Sequence, residues 1–405
     1  QEGYRLDWDS AGEKPFHNGV VYNEMRGAYS DPDSYMEREI TRALYPLGTA
    51  GKDSGGDPPA ITRLSYEEFL DFHRRNYTPD NCCFFALTTI PFEEFAGFLE
   101  DKIPEVKGSP SPMIPQPEFF EPVNREIPVP GNGSDSGCTV VSAWKVNNAG
   151  DPVDSLCFAL LEDILLDAES SPVKSALLDS GLGTGLSICG YDADPAERNF
   201  IIGLKGVARE RTGMVLELIR DTLENLAEKG IDRELAMNML HRRELHMRTA
   251  GPGWPMALMT AVTGAWTHGE SIMDALDLES QLRVINERFS SPGDYPGGMV
   301  RKWLIDNPHR VDLVFYPCSK HFQEIERGVE KELAEKALAM SADEMEELER
   351  ASAGIRAAAA EPDSPENLAT LPRLCLKDIP RESCTLFHRE LKTSRGRFLE
   401  SDIET

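Results

Sequence analysis

The sequence predicts an α+β protein: sandwich domains with helices on one face of a mainly antiparallel sheet, plus a helical-hairpin linker. Three observations carry this. Short apolar, β-branched runs are interleaved with amphipathic helical stretches. A Pro-rich stretch over 108–117 interrupts both patterns. A long Glu-, Lys-, Leu- and Ala-rich stretch near the end breaks once, at Ser341. The 405 residues leave room for two or three domains, at ~100–200 residues each.

Residues 1–107 read as a first unit. Residues 34–44 have a helical pattern. Ser65, followed three residues on by Glu68, is a capping box that opens a second helix. That helix stops near Asn76, because Pro79 forces the residue before it out of the α region. Residues 82–89 form a short apolar run, expected to be a buried strand. In 108–117 the prolines fix φ and remove N–H donors, so the stretch is expected to be a semi-rigid linker.

A second unit is expected over 118–250. Strands are expected at 125–129, 138–144 and 200–207, with an apolar helix over 155–166. Ser171-Pro172 opens a helix with Pro at its first position and ends near Asp179. Over 213–229, Val215, Leu218, Ile219 and Leu226 share one stripe that Gly230 terminates. Asp232 caps a further helix to Arg248.

A mainly helical region is expected over 251–382. It holds helices at 256–268 and 278–289 and one strand at 311–316. The hairpin 322–360 follows, with a second capping box formed by Ser341 and Glu344. Residues 383–405 read as the start of a third, truncated domain.

Sixty-nine acidic residues against 42 basic ones give a net charge of −27. That excludes nucleic acid as a partner, since phosphate binding requires clustered Lys and Arg. Basic peptides or cations fit better, and the charge also serves solubility. No window approaches the ~18 apolar residues of a membrane span, and no signal peptide is evident. The first residue is Gln, and the opening segment reads as the interior of a longer chain. The eight cysteines show no C-x-x-C or zinc-ribbon spacing. They are expected to be reduced and mostly buried, in a reducing compartment. The expected location is cytoplasmic, with the mitochondrial matrix or another organelle as the alternative.

Candidate chemistry is sparse. His241 and His246 are five residues apart. A helical zinc pair needs i and i+4, and at ~100° per residue the fifth position turns off the face. The Gly181-Leu182-Gly183-Thr184-Gly185 run follows a helix and lacks a Lys-Ser/Thr pair, so it is expected to be a flexible turn. No G-x-S-x-G elbow occurs. His73 falls on the polar side of its helix. Glu24 sits where an apolar run, residues 19–22, meets a helical region.

The stretch Val20-Val21-Tyr22-Asn23-Glu24-Met25-Arg26-Gly27 is joined by the loop Ser54-Gly55-Gly56-Asp57-Pro58. A helix ending Phe72-His73-Arg74-Arg75-Asn76-Tyr77-Thr78-Pro79-Asp80-Asn81 follows. Together they resemble the pitrilysin/insulinase family of inverted zincins, in its presequence-protease branch. The likeness continues through 171–183, 203–207, 306–311 and 369–373. It implies metallopeptidase-type α/β sandwiches and a zinc endopeptidase that degrades unstructured peptides inside a closed chamber. It also implies Zn2+ held by two His of H-x-x-E-H and by a distant Glu, which here is Glu24. No H-x-x-E-H occurs in these residues. The chain is therefore expected to be an internal piece, inactive and metal-free by itself, with the remaining domains of the same polypeptide as partners. The alternative is a non-catalytic structural or peptide-binding relative of the same family.

Overall fold

The computed structural model describes residues 3–9, 14–100, 102–103, 106–131, 137–249, 251–379, 381, 388–393 and 396–401. Two units result, residues 1–339 and 340–405.

The first unit opens with the antiparallel hairpin β1 (Arg5–Asp9) and β2 (Lys14–Asn18). Helices α1 (Val20–Ala28), α2 (Pro32–Leu44), α3 (Pro58–Ile61), α4 (Tyr66–Asn76) and α5 (Phe92–Glu100) follow. Next come β3 (Val123–Val129), β4 (Cys138–Asn148), α6 (Pro152–Glu162), α7 (Pro172–Asp179), β5 (Gly185–Leu186), β6 (Gly190–Asp192) and β7 (Glu197–Val207). Helices α8 (Thr212–Lys229), α9 (Arg233–Arg248), α10 (Trp254–Thr267), α11 (Ile272–Leu276), α12 (Leu278–Ser290) and α13 (Tyr295–Val300) lead to β8 (Arg310–Pro317) and α14 (Ser319–Ala339). The second unit contains α15 (Ala342–Ala360), α16 (Pro365–Ala369) and the antiparallel pair β9 (His388–Thr393) and β10 (Gly396–Ser401). Of the expected third-domain start, residues 383–387 and 402–405 lie outside the described residues.

The architecture is mixed α+β, as expected. The main sheet runs β3-β8-β4-β7-β5, with β6 also on β7. All its pairs are antiparallel except β3 with β8. Alternation along β4 splits the core in two, because successive side chains leave a strand on opposite faces. Val140 and Trp144 join one cluster with Leu161, Leu165, Phe200, Ile219, Leu240, Ile285 and Val300. Val141 and Ala143 join another with Met36, Ile40, Leu44, Leu313 and Phe315. Helices α6–α9, α12 and α13 thus cover one face, and α2, from the front of the chain, covers the other.

Four expectations are corrected. The strand β8 lies between β3 and β4, and α12 and α13 share the core of α6–α9. Residue 250 therefore divides no two packed bodies, and the sandwich extends to Pro317. Residues 82–89 are not a strand, and Phe84 and Leu87 are about half exposed (51% and 50%). A single apolar run becomes a strand only when a neighbour takes its N–H and C=O groups, and no described residue does so. The cysteines are free, but only Cys138 and Cys157 are buried; Cys82, Cys83 and Cys375 are exposed. Cys384 lies outside the described residues. Finally, the apolar run before Glu24 is part of α1.

Candidate functional site

Glu24 occupies the middle of α1. The helix begins at Gly19, whose φ of 135° no L side chain adopts readily and whose Cα faces the Gly3 carbonyl. The Asn18 side-chain oxygen accepts from Gly19 N and Asn23 Nδ2, both at 2.8 Å. This fixes the helix start against the β-hairpin and overrides the β preference of the Val-Val pair. Tyr22 and Met25 are buried. Tyr22 packs on Tyr4 and His17 at 5.9 and 5.5 Å, and Tyr4 Oη lies 2.8 Å from His17 Nδ1. Burial holds the His17 pKa below its ordinary value.

The opposite face of α1 is uncovered. Val20, Glu24 and Gly27 recur at helical spacing there, all exposed, with Val20 56% and Val21 39% accessible. The Glu24 carboxylate makes no hydrogen bond or ion pair with any described residue, whereas Arg26 Nη2 reaches Glu326 Oε1 of α14 at 3.3 Å. Two of the motif segments meet: Gly55 of the Ser-Gly-Gly-Asp-Pro loop backs onto the Met25 thioether, where a Cβ would collide. Beside them Tyr35 of α2 meets Phe322 of α14 edge-on at 5.3 Å. The third segment is α4, where Ser65 and Glu68 form the expected capping box and His73 stacks on Tyr77 at 4.6 Å.

Zinc requires three protein ligands at a catalytic site. Among the described residues no group of three His, Cys, Asp or Glu side chains converges on one point. Glu24 alone therefore does not make a site in this chain. His241 and His246 are exposed on α9. The Gly181–Gly185 run is not a loose turn: Thr184 N donates to the Lys205 carbonyl at 2.8 Å, and β5 then pairs with β7.

Sequence patterns gave no sign of a buried ionic cluster between the Pro-rich stretch and the sheet. Lys145 Nζ lies 2.7 Å from Glu118 Oε1 and 3.0 Å from Glu197 Oε1. His309 is fully buried and bridges Glu118 Oε2 (3.0 Å) and the Leu44 carbonyl at the end of α2 (2.9 Å). Gln116 completes the contact, its Oε1 accepting from Leu47 N and Gly48 N and its own N donating to Glu197. These partners are 27 to 191 positions apart, so no local motif marks them. They join α2 to the sheet; they do not form a catalytic constellation.

Comparison with known proteins matches this framework. The family model for the peptidase M16 inactive domain matches residues 63–236, and the model for the region associated with subfamily C of the same peptidases matches 316–405. Between them they take in well over half of the chain, which belongs to the M16 peptidase family. The chain is 33% identical to presequence protease 1, chloroplastic/mitochondrial, of Arabidopsis thaliana, over 94% of its own length and 37% of that protein. It is 28% identical to protein HypA of Clostridium perfringens, over 100% and 42%. To the mitochondrial presequence protease of Xenopus laevis it is 27% identical, over 94% and 38%. The chain thus spans about two fifths of these relatives. Its fold resembles a Helicobacter pylori protease (TM-score 0.61, 14% identity, 74% of this chain and 70% of that one). It also resembles a peptidase M16 inactive domain from Pseudomonas fluorescens (TM-score 0.56, 18% identity, 74% and 70%).

Proposed function

We propose that this chain is the part of a presequence-type zinc metalloendopeptidase that carries one metal ligand, Glu24, and a non-catalytic sandwich. In this reading residues 1–107 close the first, catalytic sandwich, 118–317 form the second, and 383–405 open the third. Helices α14 and α15 connect the two halves of the enzyme around the break at Ser341. The substrates are unfolded peptides. Zinc, when bound, supplies Lewis-acid activation of water; this chain contributes to it one carboxylate, and the two His belong to an H-x-x-E-H outside it. The enzyme acts in the cytoplasm, or in an organelle as the names of the plant and animal relatives state for those proteins.

One observation carries the proposal: an exposed, unpartnered carboxylate between exposed Val20 and Val21, on a helix whose other face is fully built. Apolar residues flanking a lone acid describe a face prepared for cover. The test is Glu24→Gln in the polypeptide that includes H-x-x-E-H. Zinc content and hydrolysis of a quenched peptide should both fall by at least tenfold, with the melting temperature of the metal-free protein unchanged. This chain alone should show no chelator-sensitive hydrolysis. Full zinc content in the variant would remove Glu24 from the ligand set. The match to an inactive domain over 63–236 favours a second reading, a non-catalytic structural or peptide-binding relative. Absence of an intact H-x-x-E-H from the gene upstream of Gln1 would select it.

A further inference from the structure

A cavity of about 650 Å³ opens between α6, the turn before α13 and the π-helical turn Arg301–Ile305. It is remote from α1 in sequence and is lined by none of its residues. Its volume falls in the range of small-molecule sites, ~300–1,000 Å³. In a chain of net charge −27, two cations line it, Arg288 and Lys302. Arg288 donates through Nη1 alone, to Asp154 Oδ1 at 2.7 Å, Tyr295 Oη at 3.3 Å and Cys157 Sγ at 3.6 Å. Its remaining N–H groups have no acceptor among the described residues. Lys302 Nζ rests 4.2 Å from the Trp303 ring centre, with no carboxylate in ion-pairing distance among the described residues.

The apolar part of the lining is flat: Tyr295, Trp303 and Met299. Trp303 is held edge-on by Phe158 at 5.7 Å, so the wall is fixed in place. Gly298 faces open space, with nothing within 4 Å of where a Cβ would stand. Lys302 and Trp303 are successive residues of a π-turn, a departure from α geometry that recurs at functional sites. An unpaired ammonium and spare guanidinium donors beside aromatic walls recognise one chemistry, an anionic group on a flat apolar body.

From this arrangement we infer that the cavity binds a small aromatic anion, its carboxylate or phosphate on Lys302 and Arg288 and its ring against Tyr295 and Met299. This site is independent of Glu24 and of the peptidase reading. Indole-3-acetate and AMP serve as probes of the two anion types in calorimetric titration of the full chain. At least one should bind with a Kd on the order of 1 mM or tighter. Indole or acetate alone, and adenosine or inorganic phosphate alone, should bind at least tenfold more weakly. Lys302→Glu, at an exposed position, should weaken binding at least tenfold. Gly298→Leu, which fills the open space, should do the same, with an unchanged melting temperature in both variants. Lys320→Glu, on exposed α14, should leave binding intact. If neither probe binds at 1 mM, or if binding survives both Lys302→Glu and Gly298→Leu, the inference is overturned.

Discussion

Lys145 is a cation placed inside the sheet, 6% exposed, between Glu118 and Glu197. Burial alone would lower its pKa, but the hydrogen bonds to the two carboxylates outweigh it and the pKa is raised. A raised lysine pKa gives stability that is full below the unfolded value and is lost as pH rises through the folded one. The contribution is thus lost only in alkali. Removing the cation strands Glu197, so Lys145→Met should cost about 3–5 kcal/mol in urea unfolding at pH 7. Adding Glu197→Gln should recover part of that loss; a double variant no better than the single would show that the pair is not coupled. Glu162 is the acidic counterpart. Burial raises its pKa, against a hydrogen bond from Tyr191 N at 3.2 Å. The folded form therefore holds its proton to higher pH, and stability falls as pH rises from about 4.3, the ordinary Glu value, through the folded pKa. Glu162→Gln should flatten that part of the pH–stability curve and leave the protein relatively more stable at pH 7 than at pH 4, measured against the parent.

The elements that could be read from the sequence are those whose causes are local. Ser65 with Glu68 and Ser341 with Glu344 each make both bonds of a capping box within four residues. Asp232 caps α9 by accepting from Glu234 N at 2.8 Å. The strand β8 was visible as an element but not as a member of the second sandwich. Its parallel partner β3 lies 188 positions earlier, with Val123 opposite Val311, and no periodicity encodes pairing at that range. Residues 82–89 mislead in the other direction, since their composition demands burial that no described residue supplies. Their amides should exchange with solvent far faster than those of β4, and protection equal to β4 would show that the run is paired. The glycines of 181–185 were legible as glycines but not as packing. A Cβ on Gly183 would stand 2.6 Å from the Lys205 carbonyl oxygen and 2.7 Å from Leu204 Cγ. Gly183→Ala should therefore destabilise by about 1–3 kcal/mol, as overpacking does, whereas a free turn would tolerate it.

At the scale of the whole first unit, the decisive feature is that α2 and the main sheet share one core although a Pro-rich stretch separates them in sequence. Ile40 and Leu44 are 1% and 0% exposed against Val141, Leu313 and Phe315. The Leu44 carbonyl is tied to His309, the residue just before β8. Glu24 stands at the other end of this assembly, on the helix that directly precedes α2. Its place in α1 was missed because the sequence shows β-branched Val20 and Val21 but not the Asn18 and Gly19 geometry that starts a helix there. If α2 were a separate domain resting on the sheet, a cavity within it would loosen α2 alone. If the core is common, the same cavity lowers the stability of the sheet. Ile40→Ala should cost about 2–5 kcal/mol, and hydrogen exchange should show amides of α2 and of β4 losing protection by the same free energy. Loss confined to α2 would mean that the front segment opens independently, and that the face carrying Glu24 can move without the sandwich behind it.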